Sequence, residues 1–190
     1  TIGHHEEDLD NSLKGPYFNM TGADGKVCRG SFCMNDKRFI GEYVRPVYTA
    51  LANASPDHIW IDDDVRNDHM PIGNGCFCDG CIDKFNRENG TAFDRQQLLE
   101  ELDKSMTVRK AWLRHNINAI TNLFRAIGDA VRSVDKSITL GFMTGERYFE
   151  GYAFNEFAEA LSEKGKYEIM WRPGGGAYTD YRFDEIVEKS

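Results

Sequence analysis

The run from Thr107 to Val134 constrains this chain most: Leu113, Ile117, Ile120, Phe124, Ile127 and Val131 recur there at alternating spacings of four and three. That period lines them up on one stripe of a long amphipathic helix, and the stripe must lie against something apolar. The flanking segments supply it. Before the helix, DHIWI is a short run of bulky and β-branched residues, entered after Ser55-Pro56 and ending in the acidic run Asp62 to Asp64. After it come SITLGFM, a strand from Ile138 to Met143, a helix around Phe154 to Leu161, and YEIMW, a strand from Tyr167 to Trp171. Near-continuous apolar strands alternating with helices pair in parallel, with the helices as outer crossovers. The fold class is α/β.

Shorter elements fill the rest. From Lys37 to Asn53, Phe39, Tyr43, Val47 and Leu51 stand four apart on one helix face, with Pro46 expected to kink or restart the helix. Ile82 to Asn89 reads as a short helix stopped at Asn89-Gly90, Asp94 to Leu102 as another, and a final helix begins near Arg182. A complete (β/α)8 barrel takes roughly 250 residues, or about 200 at the least. A chain of 190 residues with three such strands is therefore read as one α/β domain, 1–190, which, if it belongs to a TIM-type barrel of parallel strands with outer helices, is part of one. The alternative is a small open sheet whose first strand lies near Thr1 and Ile2, followed by a polar loop with His4, His5, Glu6 and Glu7.

A formal net charge of −8 argues against nucleic acid, which needs a basic stripe to displace counterions. No apolar run approaches bilayer length, and TIGHHEEDLD lacks the basic start and apolar centre of a signal peptide. A soluble protein without a membrane partner is expected, in the cytoplasm rather than the periplasm. The sequence opens on Thr1 instead of Met, as a processed or excised piece would.

The five cysteines are clustered, Cys28 with Cys33 and Cys76 with Cys78 and Cys81. An odd count does not make a disulfide framework. C-x-C-x-x-C in the Gly-rich loop GNGCFCDGC brings three thiolates within reach of one tetrahedral zinc, with Cys33, Cys28 and His69 as candidates for the fourth position. Four thiolates would close the shell and make the site structural.

At the end of DHIWI, strand alternation turns Asp62 and Asp64 one way and Asp63 the other. Carboxylates this close raise one another's pKa, as a general acid needs, and Arg66 supplies a tuning cation; the alternative is a solvated strand end with an Asx turn. WRPGGGAYTDY offers Arg172 as a donor fork and Tyr178 and Tyr181 as flat apolar faces suited to a sugar ring. MTGERYFEGY adds Glu146, Arg147 and Tyr148 at an equivalent strand end. His58 and His115 read as structural.

Together these residues resemble a segment of the glycoside hydrolase family 42 β-galactosidases and related bacterial proteins. In that family a Cys-Pro-Asn-like turn precedes a helix, a Trp-bearing strand ends at the acid/base residue, and a C-x-C-x-x-C loop leads into a helix with a Phe. The counterparts here are CMNDKRF from Cys33 to Phe39, IWIDDD from Ile59 to Asp64, CFCDGC from Cys76 to Cys81, and Phe85. The resemblance implies Cys33, Cys76, Cys78 and Cys81 as ligands of a structural zinc, with Cys28 left over. It implies a glycosidase acting on a carbohydrate substrate, with Arg66, Glu146, Arg172 and Tyr178 around the sugar. This chain has Asp63-Asp64 where the family has Asn-Glu, so Asp64 is the candidate acid and Asp62 the second. The implied nucleophile lies on a later strand, and nothing after Trp171 reads as one. A catalytically inactive sugar-binding protein is the competing reading. A partial barrel leaves sheet edges and helix faces bare, which favours a homo-oligomer.

Overall fold

Strands β3 (His58–Ile61), β4 (Thr139–Met143) and β5 (Ile169–Arg172) form one sheet in the order β3-β4-β5, with both pairs parallel. This is the mixed α/β arrangement that the alternation of strands and helices predicts. The computed structural model describes residues 17–62, 65, 67, 73–143 and 153–172; the strand expected near Thr1 and Ile2 and the helix near Arg182 lie outside them.

The long helix, Met106–Val134, is joined to β4 by the short turn at Asp135–Ile138 and starts where the Ser105 hydroxyl accepts the Val108 N–H. At 29 residues it is about 43 Å long. Ile117, Ile120, Phe124, Ile127 and Val131 are all buried, as their spacing requires, in a core shared with Ile59, Ile61, Leu140 and Phe142 of the sheet. The Phe124 ring meets Phe142 at 5.7 Å and Phe157, of the helix Phe154–Leu161, at 5.2 Å. Leu113 departs from the expected stripe and is 40% exposed. At this end of the helix Trp112 takes the buried position, and Leu113 lines a groove of about 480 Å³ with Leu99 and Leu102.

The helix over β3 corrects a second expectation. A turn of α-helix, Lys37–Phe39, runs into a π-helical turn, Ile40–Val44, and then into α-helix Arg45–Asn53. The extra residue of the π turn shifts the phase by one, so the buried face after Phe39 is Val44, Tyr48 and Ala52. Val47 and Leu51 are left exposed and Tyr43 half-buried. Pro46 follows directly. It cannot donate to the helix ladder, and the π turn absorbs the kink it would otherwise cause.

An antiparallel hairpin precedes this helix, β1 (Asn19–Thr21) with β2 (Val27–Phe32). Its signal in the sequence is Asp24-Gly25: Gly25 has φ +83°, and the Asp24 carboxylate accepts the Lys26 N–H. The Asp36 carboxylate then caps the first helical turn through Arg38 and Phe39 and accepts the Phe18 N–H at 2.8 Å, tying hairpin to helix.

Helix Asp79–Asn89 starts earlier than the expected Ile82 and stops at Gly90, with φ +66°. Helix Arg95–Lys104 opens on an Asp94/Gln97 capping box. These two pack on the start of the long helix in a second, smaller core of Phe77, Ile82, Phe85, Leu98 and Trp112.

On the sheet face away from the helices, Gly141 lies between Trp60 and Met170 in the register. A Cβ at Gly141 would come within 2.7 Å of the Trp60 ring and 3.1 Å of Met170 Cβ. Gly141→Ala is therefore expected to cost about 1–3 kcal/mol in urea denaturation, as overpacking does, and to change tryptophan fluorescence as the Trp60 ring turns away. Unchanged stability would contradict the close packing of this face.

Candidate metal centre and strand-end site

Cys33 follows the second hairpin strand, Cys76 and Cys78 lie in the loop before helix Asp79–Asn89, and Cys81 is in that helix's first turn. All four are buried, and their sulfurs lie within 4.8 Å of one another. Four sulfurs about 2.3 Å from one ion would stand about 3.8 Å apart. The set therefore needs only a small adjustment to surround a metal ion; Cys33 and Cys81, at 3.2 Å, would move slightly outward.

The loop is held in place from three sides. The Phe77 N–H donates to the Thr21 carbonyl at 2.7 Å, and Arg95 donates to the Phe77 carbonyl at 3.1 Å. On the long helix, Trp112 Nε1 and Asn116 Nδ2 both donate to the Asn74 carbonyl. Gly75 has φ +102°, and a Cβ there would come within 2.5 Å of the Asn116 amide. This glycine is what lets the backbone turn beneath the helix.

The chemistry of the donors also fits a cation. Hydrogen bonds from Cys33, Cys76 and Cys81 hold the Cys78 thiol far below its ordinary range. Hydrogen bonds to Cys76, Cys78 and Cys81, with burial, push Cys33 well up. For Cys81 the bond with Cys33 pulls downward, but those with Cys76 and Cys78 and burial prevail and push it up. Four thiolates buried together need a counterion, and a divalent cation would supply it.

Cys28 belongs to the same buried cluster, with Met20, but is not one of the four close sulfurs. The structure thus selects Cys33 from the candidates for the fourth position, whereas His69 lies outside the described residues.

A polar network absent from the sequence reading borders the cluster. Asn35 Nδ2 lies 3.4 Å from Cys81 Sγ and 3.1 Å from His115 Nε2, while its Oδ1 accepts Lys84 Nζ at 2.6 Å. His115 Nδ1 is 3.0 Å from Glu88. His115 is buried, stacked on Trp112 at 5.1 Å, and burial lowers its pKa. The reading of His115 as structural holds for its burial but omits this polar role. Asn35, Lys84 and Glu88 also line a cavity of about 450 Å³ that reaches Cys33.

At the other site, Asp62 follows β3 and is half-buried. The register pairs Ile61 with Phe142 and Met143 with Arg172, so one step further Asp62 comes level with Met143. Asp62 and Arg172 thus stand at the same C-terminal sheet edge on either side of β4, roughly 10 Å apart by strand spacing. Arg172 is exposed, and its Nη1 lies 2.9 Å from Met143 Sδ. Nearby, burial and then the charge of Asp62 push the Tyr48 phenol up to about 12, so it stays protonated at neutral pH. Asp64, Arg66, Glu146 and Tyr178 lie outside the described residues.

Among solved structures, a polyextremophilic β-galactosidase from the Antarctic haloarchaeon Halorubrum lacusprofundi superposes with a TM-score of 0.56 at 18% identity, covering 86% of this chain and 28% of that one. The likeness is one of fold, and this chain spans little more than a quarter of that enzyme's length. No protein-family model matches the chain, and no curated protein matches it. Among the described residues, no helix is long and apolar enough to cross a membrane.

Native mass spectrometry is expected to show one divalent metal ion per chain, lost in Cys33→Ser and kept in Cys28→Ser. Equal metal content in wild type and Cys33→Ser would contradict the four-sulfur assignment.

Proposed function

We propose that this chain is the central part of a glycosidase-like (β/α)8 barrel, carrying the general acid and part of the sugar-binding rim beside a structural zinc. The observation that carries this reading is the shared C-terminal edge of β3, β4 and β5, where Asp62 and Arg172 flank Met143. Parallel α/β folds place their chemistry at this edge. The fold likeness to a β-galactosidase supports the same reading. Zinc is the metal best suited to four thiolates, and a closed shell without a water position makes it structural.

In this account Asp64 gives its proton to the glycosidic oxygen, Asp62 and Arg66 set its charge environment, and Arg172, Tyr178 and Glu146 hold the sugar hydroxyls. Aspartate is one methylene shorter than the glutamate it replaces in the resembled family, so the sugar must sit closer to the β3 edge. A retaining reaction needs a second carboxylate about 5–5.5 Å from the acid, and an inverting one about 6.5–9.5 Å. We place that carboxylate on a strand of the full-length protein beyond β5.

The test uses the full-length protein and an unactivated β-galactoside, whose poor leaving group makes the acid indispensable. Asp64→Asn is expected to lower kcat about 10²- to 10⁴-fold with zinc content unchanged. Unaltered turnover would contradict the assignment of Asp64. Galactoside binding by the wild type without turnover would favour the inactive sugar-binding reading, which the missing Asn-Glu pair motivates.

A further inference from the structure

The side chain of Asn35 is fixed in one orientation by partners of opposite demand. Its Oδ1 accepts Lys84 Nζ at 2.6 Å, and an ammonium can only donate. The amide therefore cannot be reversed without setting donor against donor. With Oδ1 so placed, the two Nδ2 hydrogens face Cys81 Sγ at 3.4 Å and His115 Nε2 at 3.1 Å. His115 must then accept at Nε2 and carry its proton at Nδ1, where Glu88 accepts it at 3.0 Å. Every polar atom of the Asn35 amide is occupied. The chain from Glu88 through His115 and Lys84 leaves one N–H pointed at a sulfur.

From this geometry we infer that Asn35 is a positioning residue of the metal centre, donating an N–H to the Cys81 thiolate and held in that orientation by Lys84 and His115. The inference rests on the reading of the four cysteines as a zinc site. Four thiolates around a divalent ion carry a net charge of −2, and all four residues are buried. An N–H directed at one sulfur takes up part of that charge. Asn35 also lines, with Lys84 and Glu88, the cavity that reaches Cys33.

Zinc affinity is measured by competition with a chromophoric chelator for the wild type, Asn35→Leu, Asn35→Asp and Lys84→Met, with Arg87→Ala as a cavity control outside the network. Asn35→Leu is expected to weaken zinc binding about 10- to 100-fold, in the range found for groups that support metal ligands. Asn35→Asp keeps the shape and the Lys84 contact but turns a carboxylate oxygen toward the sulfur, so it should weaken binding further. Lys84→Met should weaken it less, and Arg87→Ala should not change it. In the cobalt(II)-loaded protein, loss of the N–H should move the sulfur-to-cobalt charge-transfer band to lower energy in Asn35→Leu, a change that loosened packing alone would not produce. Wild-type affinity together with an unshifted band in both Asn35 variants would overturn the inference while leaving the zinc site standing. Failure of the wild type itself to take up zinc would overturn both.

Discussion

The long helix Met106–Val134 has to serve two cores at once, and the rest of the structure follows from that constraint. Its C-terminal half covers the parallel sheet with Ile120, Phe124, Ile127 and Val131. Its N-terminal half supplies Trp112 to the smaller core beneath the cysteine loop, and His115 and Asn116 to the polar contacts beside it. Burying an apolar stripe against a sheet fixes the helix axis, and the fixed axis sets where Trp112, His115 and Asn116 stand. The cysteine loop is thus positioned by the same packing that holds the strands in register.

This arrangement gives the metal centre a clear part in the fold. The four cysteines link the end of the hairpin, the loop and the first turn of Asp79–Asn89. These segments bury a small core of their own, and a metal bridging them would add its binding free energy to their stability.

Much of this is legible in the sequence, and the exceptions have physical causes. The 3.6-residue period from Ile117 to Val131 survives because one continuous surface lies under it; Leu113 fails because that surface ends. Between Lys37 and Asn53 the period misleads, since a single π turn moves the buried face from Val47 and Leu51 to Val44, Tyr48 and Ala52. Cysteine spacing groups three of the four close sulfurs, but the fourth comes from a chain segment more than forty residues away, and only the fold separates Cys33 from Cys28. Asn35 enters the sequence reading only as part of the turn CMNDKRF, and His115 only as a structural residue, because each acquires its polar role from partners brought together by tertiary packing.

X-ray absorption at the zinc edge of the metal-loaded protein tests the central claim most directly, since it counts the atoms bound to the ion. The account predicts four sulfur neighbours at about 2.3 Å and no nitrogen or oxygen in the shell. A shell with fewer than four sulfurs, completed by nitrogen or oxygen, would contradict it and would return the metal to a role open to water and substrate.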